Sequence, residues 1–352
     1  MNTYFKKVLR HAIIWFFAFV FFVLMREFGH EIVEEAGRPR MLPVQRIVFH
    51  IILGIVSGFI FGSLEYVFDK YIYKQLSFGR TVLLGAFSYL IAIILLVSFG
   101  IRAFTRIVGQ ELSADIYTSF VFSGEMLLII GYCFFVGFLI DLFREIDKKF
   151  GPGNLWKMLK GEFYSPKEEQ RIFMFVDLKN STGIAEQLGH QQYSRLIQDC
   201  FMDVSEIVLQ YEASIYQYVG DEIILTWPIK EGLKNLNCIR FFFSYKEKLM
   251  NKRTYYEKKY GLVPEFKAGL EMGLVMVAEV GDLKREIAYH GDVLNTAARI
   301  QGCCNTYGKS ILISENIEQT LGEAFQERTE LLGDVQLRGK QQNVKIYSVE
   351  AV

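Results

Sequence analysis

Four apolar stretches in the first 143 residues constrain this chain more than any other feature. They run from Val8 to Met25, Ile47 to Val67, Thr81 to Phe104 and Tyr117 to Phe143. A helix rises about 1.5 Å per residue, so about 20 residues cross a hydrocarbon core roughly 30 Å thick. The lengths therefore predict four transmembrane helices. Lys6, Lys7 and Arg10 precede the first stretch in the manner of a secretory signal, but no small-residue cleavage site follows it. It is read as a retained span. Of the 352 residues, 51% are hydrophobic and 22% charged, which excludes a disordered or collagen-like chain. Basic and acidic side chains balance at 39 each, so charge makes no case for nucleic acid.

An even number of spans places both termini on one side, and the distribution of Lys and Arg modestly favours the cytoplasm. Few polar residues interrupt the spans: His50, Glu65 and Glu125. Glu125 is a candidate for ligand sensing or helix pairing, because a carboxylate in lipid is costly unless it finds a partner. Gly54, Ser57, Gly58 and Gly62 form a small-residue stripe suited to close helix packing. Leu139, Leu142, Ile146 and Phe150 then make an apolar stripe that a second copy could meet as a short coiled stalk, ended by Gly151-Pro152-Gly153. Asn154 to Arg171 reads as a polar, basic linker. The expected domains are a transmembrane part over 1–143, a helical stalk and linker over 144–170, and a soluble part over 171–352. The five cysteines show no metal-type spacing and suit a reduced, intracellular setting.

Three segments of the soluble half carry chemistry. Arg171 to Val176 is a buried-strand pattern that delivers Asp177 at its end, followed by Leu178-Lys179-Asn180-Ser181-Thr182 at a helix start. A terminal carboxylate beside free backbone N–H groups suits a metal-phosphate site. Ser214 to Trp227 reads as two strands around the turn Gly220-Asp221, which supplies a second carboxylate. Paired carboxylates are what two cations in phosphoryl transfer require. Glu286 to Ile300 reads as strand, tight turn and helix, with Asn295 and Arg299 one turn apart on a single helix face. An amide and a guanidinium so placed suit a ribose and a developing phosphate charge.

Phe175-Val176-Asp177, Val219-Gly220-Asp221, Gly291 to Arg299 and Leu337-Arg338-Gly339-Lys340, in that order, resemble the class III adenylyl/guanylyl cyclase catalytic domain. The resemblance spans about residues 170–350 and implies an α+β ferredoxin-like (palm-type) domain behind the four-helix membrane domain. It implies that Asp177 and Asp221 hold two divalent metal ions, Mg²⁺ or Mn²⁺. Asn295 orients the ribose, Arg299 stabilises the pentavalent phosphate, and Arg338, with Lys340 as a second donor, contacts the triphosphate. Leu178, Ser181 and Thr182 line the phosphate side. Gln217 and Ala288 occupy the base-reading positions, where adenylyl cyclases often carry Lys and Asp or Thr. Gln217 can donate to and accept from an adenine edge, whereas Ala288 offers no side-chain hydrogen bond and leaves Tyr289 or the backbone as alternatives.

In that family the aspartates and the Asn-Arg pair come from different subunits, so the resemblance implies a homodimer with two shared sites. The expected activity is conversion of ATP to 3′,5′-cyclic AMP, with GTP the second choice. The expected location is the inner cell membrane, with termini and catalytic domain cytoplasmic. Two alternatives are a guanylate cyclase and a membrane receptor whose cyclase-like domain binds nucleotide with little turnover. The Gly-Asp-Glu hairpin of a diguanylate cyclase would need a second glycine and has no use for the Asn295-Arg299 helix. The membrane half shows no ligand motif. It is expected to contact the bilayer and to offer a route for regulation.

Overall fold

The computed structural model describes residues 3–30, 43–72, 76–108, 118, 122–151, 153–321, 328–335 and 343–350. The chain divides into two compact units, Met1–Lys149 and Phe150–Val352.

The first unit contains α1 (Thr3–His30), α2 (Pro43–Tyr71), α3 (Phe78–Val108) and α4 (Gly124–Phe150). Each is long and apolar enough to cross a membrane, over Lys7–Met25, Ile51–Tyr71, Phe78–Phe99 and Met126–Phe150. Phe17, Phe21, Ile91, Leu95 and Leu128 are exposed on the outside. Such an apolar coat is suited to lipid rather than water. Inside, Trp15, Phe19, Phe61, Tyr89, Ile93 and Cys133 form the core. The glycine stripe of α2 seats it directly on α1. A Cβ on Gly58 would lie 2.3 Å from the Ala12 Cα, one on Gly62 2.7 Å from the Val8 Cα, and one on Gly54 3.0 Å from the Trp15 carbonyl oxygen. The two helices therefore cross antiparallel with backbones nearly touching.

A buried polar cluster joins the ends of these helices. Glu65 pairs with His11 and with Arg10 at 3.0 Å, and Arg144 reaches Glu65 at 3.8 Å and Asp141 at 2.7 Å. Asp141 fits against Gly85, where any side chain would collide with its carboxylate. The fourth span consequently differs from its sequence expectation. It begins at Gly124 rather than Tyr117, and its apolar window runs on to Phe150. Asp141 and Arg144 look like an exit from the membrane, yet they neutralise each other within the bundle. The inward face of α4 is Cys133, Gly137, Asp141 and Arg144, which leaves the stripe from Leu139 to Phe150 on the half-exposed side. The side chains of His50 and Glu125 lie outside the described residues.

The second unit opens with the short α5 (Asn154–Leu159), within the stretch expected to be linker. Strand β1 (Lys167–Leu178) follows, starting four residues before the expected Arg171. The extension forms because β4 (Phe266–Val280) is long enough to pair with it, Lys167 facing Val277, so polar residues join the ladder without a core to bury them. The remaining elements are α6 (Ser181–Gln210), β2 (Ser214–Val219), β3 (Glu222–Pro228), α7 (Ile229–Leu233), α8 (Asn237–Asn251) and α9 (Arg253–Tyr260). After β4 come β5 (Glu286–His290), α10 (Asp292–Tyr307), β6 (Ile311–Ser314), α11 (Glu315–Glu318), β7 (Thr329–Val335) and β8 (Val344–Val349). The sheet order is β2-β3-β1-β4-β6-β8-β7, with β5 on β4, and among the described residues only β4 and β6 pair in parallel. This is the mixed α+β arrangement that the resemblance implied.

Both faces of β1 are covered, which explains its unbroken apolar run. Ile172, Met174, Val176 and Leu178 pack with Leu196, Cys200 and Val204 of α6 and Phe241 and Tyr245 of α8. Phe173 and Phe175 point the other way, against Val293 and Ala297 of α10. All five cysteines are free, and Cys200, Cys238 and Cys304 serve as core residues.

Candidate active site

Strand alternation places Asp177 on the α10 face, one step beyond Phe175. Across the ladder it faces Glu222 of β3 on one side and Lys267 of β4 on the other. Directly opposed residues in antiparallel strands share a face, so three charged groups meet at this end of the sheet. Asp221 precedes Glu222 in the two-residue turn that Val219 and Glu222 close, with Gly220 taking the left-handed φ of 61° that this tight reversal needs. The fold thus brings together the two aspartates that are 44 residues apart in sequence.

Their electrostatics are those of a crowded anionic site. Burial and the charge of Asp221 push the Asp177 carboxyl above its usual range, opposed by Lys267 and a hydrogen bond from Gln301. Glu222 is pushed up to about 7 by burial and by Asp177 and Asp221. The Oδ2 atom of Asp221 is buried with no hydrogen-bond partner. An orphaned carboxylate oxygen beside two more carboxyls is an environment short of positive charge, and hard oxygen donors fit Mg²⁺ or Mn²⁺. Among the described residues no group of three or more His, Cys, Asp or Glu side chains is arranged to hold a cation. The two aspartates fit the expected metals only with further oxygens from elsewhere.

Four residues around this pair have no signal in the sequence pattern. Lys267 meets Asp177 Oδ2 at 3.2 Å, and Gln301 donates to the same oxygen at 3.1 Å. Glu222 reads in sequence as an ordinary hairpin residue. Tyr193 of α6 lies beside Ser181 and Asp221, and its hydroxyl is pushed up mainly by burial and by the Asp221 charge. Ser181 and Thr182 open α6 after Asn180, which adopts φ 57°, so the first N–H groups of the helix follow closely on the end of β1. Leu178, expected on the phosphate side, immediately follows Asp177. Its side chain is fully buried on the α6 and α8 side of the sheet, so only its main chain remains for a substrate.

Asn295 and Arg299 lie on α10, Asn295 exposed and Arg299 half-buried. Among the described residues no hydrogen bond or ion pair joins either to Asp177 or Asp221. Gln217 is exposed on β2 and Ala288 half-buried on β5. Tyr289, the alternative base-reading neighbour, is already engaged. Its ring packs on Phe173 and Tyr216, under the Arg171 guanidinium at 5.0 Å. Arg338 and Lys340 lie outside the described residues.

The helix that carries the Asn-Arg pair is held tightly. A Cβ on Gly269 of β4 would lie 2.1 Å from the Gln301 nitrogen and 2.5 Å from its Cα. We expect Gly269→Ala to lift α10 from the sheet at a cost of about 1–3 kcal/mol. Thermal melting of the full chain in detergent measures it, and a melting temperature equal to the parent's would refute that close packing.

Comparison with known proteins places this site in context. The adenylate and guanylate cyclase catalytic domain matches residues 163–351. Adenylate cyclase 2 of Rhizobium meliloti (strain 1021) is 34% identical over 194 residues, covering 55% of this chain and 53% of that protein. The adenylate cyclase of Anabaena cylindrica is 26% identical over 183 residues, covering 51% of this chain and 36% of that one. This chain therefore spans about half the length of the first relative and less of the second. Among solved structures, a bacterial light-regulated adenylyl cyclase superposes with a TM-score of 0.54 at 18% identity, covering 64% of this chain and 65% of that chain, a likeness of fold.

Proposed function

The chain belongs to the adenylate and guanylate cyclase catalytic domain family, and from that premise we propose that it converts ATP to 3′,5′-cyclic AMP and pyrophosphate at two sites shared by a membrane-anchored homodimer. The observation that carries the proposal is the meeting of Asp177 and Asp221 around an unpartnered carboxylate oxygen. Two divalent cations held there would offset phosphate charge and favour an ionised 3′-hydroxyl. Ser181 and Thr182 offer main-chain N–H groups to the phosphates. Asn295 orients the ribose, Arg299 takes up charge developing at the α-phosphate, and Arg338 with Lys340 contacts the leaving diphosphate. Lys267 balances the carboxylates when no substrate is bound. Among the described residues no hydrogen bond or ion pair of one chain links Asn295 or Arg299 to the aspartates, which supports a site completed by a second copy.

Turnover of ATP and GTP by the full-length protein with Mn²⁺, with cyclic products resolved, tests the proposal. Cyclic AMP is the expected main product. Formation of cyclic GMP alone would favour the guanylate cyclase alternative, and no product from either would favour the nucleotide-binding receptor. Selectivity should be modest, because Ala288 leaves one base edge unread. An Asp there would accept from the adenine amino group and repel the guanine carbonyl oxygen. Ala288→Asp is expected to raise the ATP over GTP ratio of kcat/KM about tenfold, the worth of one charged hydrogen bond. An unchanged ratio would move base reading elsewhere.

ATP is cytosolic, so the catalytic unit and both termini belong on the cytoplasmic side of the inner membrane. The stripe from Leu139 to Phe150, half-exposed in one chain, is available to a second copy as the proposed stalk. Regulation through the membrane helices would act along α4. Deleting residues 1–143 should lower both dimer affinity and rate, and no change in either would end the coupling idea.

A further inference from the structure

Gln301 lies on α10 two residues beyond Arg299 and is only 6% exposed. Its amide donates to Asp177 Oδ2 at 3.1 Å, the oxygen that also meets Lys267 Nζ at 3.2 Å. The backbone at residue 301 is pinned, because Gly269 leaves no room between β4 and the helix there. The amide thus reaches Asp177 from a fixed origin. The chemistry also selects this side chain. Asp177 already stands near Asp221 and Glu222, so a carboxylate at 301 would add negative charge, whereas an amide donates without any.

We propose that Gln301 is a positioning residue for metal ligation by Asp177. Together with Lys267 it engages Oδ2 and turns the other carboxylate oxygen toward the cation. It also ties that carboxylate to a helix held rigidly on the sheet. The inference rests on the cyclase reading of the site.

The test uses the full chain in detergent and Mn²⁺ alone, without nucleotide, with free Mn²⁺ followed by electron paramagnetic resonance. Gln301→Met keeps length and packing but removes the donor, and Gln301→Asn withdraws the amide by one methylene. Each is expected to weaken Mn²⁺ binding about tenfold, the lower end for losing a partner of a metal ligand. Melting temperatures without metal should stay within about 2 °C of the parent, since no core volume is lost in the Met variant. Parent-like Mn²⁺ affinity in both variants would overturn the proposal, as would weakened binding that appears only with a matching loss of melting temperature. Asp177→Asn serves as reference. If it too binds Mn²⁺ like the parent, the metal site itself is misplaced, a failure distinct from that of Gln301.

Discussion

Asp177→Ala is expected to reduce cyclic nucleotide formation by at least about 10³-fold, because the proposed function assembles the charge stabilisation of phosphoryl transfer on this carboxylate and Asp221. The same loss is expected for Arg299→Ala, through a different part of the site. The two variants then report on each other. If the aspartates of one copy work with the α10 helix of another, mixing the two inactive chains regenerates one intact site per mixed dimer. Random pairing of symmetric dimers restores about one quarter of the parental rate. The measurement is product formation after co-expression or subunit exchange. An inactive mixture in which mixed dimers are demonstrated would exclude a site shared between copies, while a nearly active Asp177→Ala chain would dismantle the site altogether.

Arg144→Met will destabilise the membrane unit by about 3–5 kcal/mol, the usual consequence of stripping one partner from a buried ion pair. Among the described residues Arg144 is the ion-pair partner of Asp141, which lies at zero exposure against Gly85. Glu65 retains His11 and Arg10 and suffers less. Unfolding of the full chain in detergent measures the effect. A second change, Asp141→Asn, removes the uncompensated charge and should recover much of the loss. No recovery in the double variant would mean that the packing of the long Arg144 side chain, not its charge, matters.

The parts of the fold legible in sequence are those with a local signature. Asp177 follows a continuous apolar run, Asp221 follows the glycine of a hairpin, and Asn295 and Arg299 repeat at one helical turn. Each pattern is contained within about 15 residues and survives folding unchanged. Lys267 and Gln301 have no such signature. Lys267 matters because the β1–β4 register sets it opposite Asp177, and Gln301 because Gly269 lets a helix settle onto the sheet. Those are facts of tertiary placement, and no periodicity announces them. The fourth span was harder for a related reason. Asp141 and Arg144 have the composition of a membrane exit until their mutual contact is known. The extension of β1 back to Lys167 likewise depends on a partner strand about 100 residues away.

The alternation along β1 has one further consequence. Even-numbered residues from Ile172 to Leu178 fill one hydrophobic layer, while Phe173 and Phe175 fill the other and Asp177 continues their row. A single-residue insertion or deletion upstream of Asp177 would exchange the rows, burying the acid among aliphatics and putting Leu178 or Val176 in its place beside Lys267 and Glu222. Length change in this segment is therefore lethal to packing and chemistry in the same stroke, and drift here is confined to substitution or to paired steps.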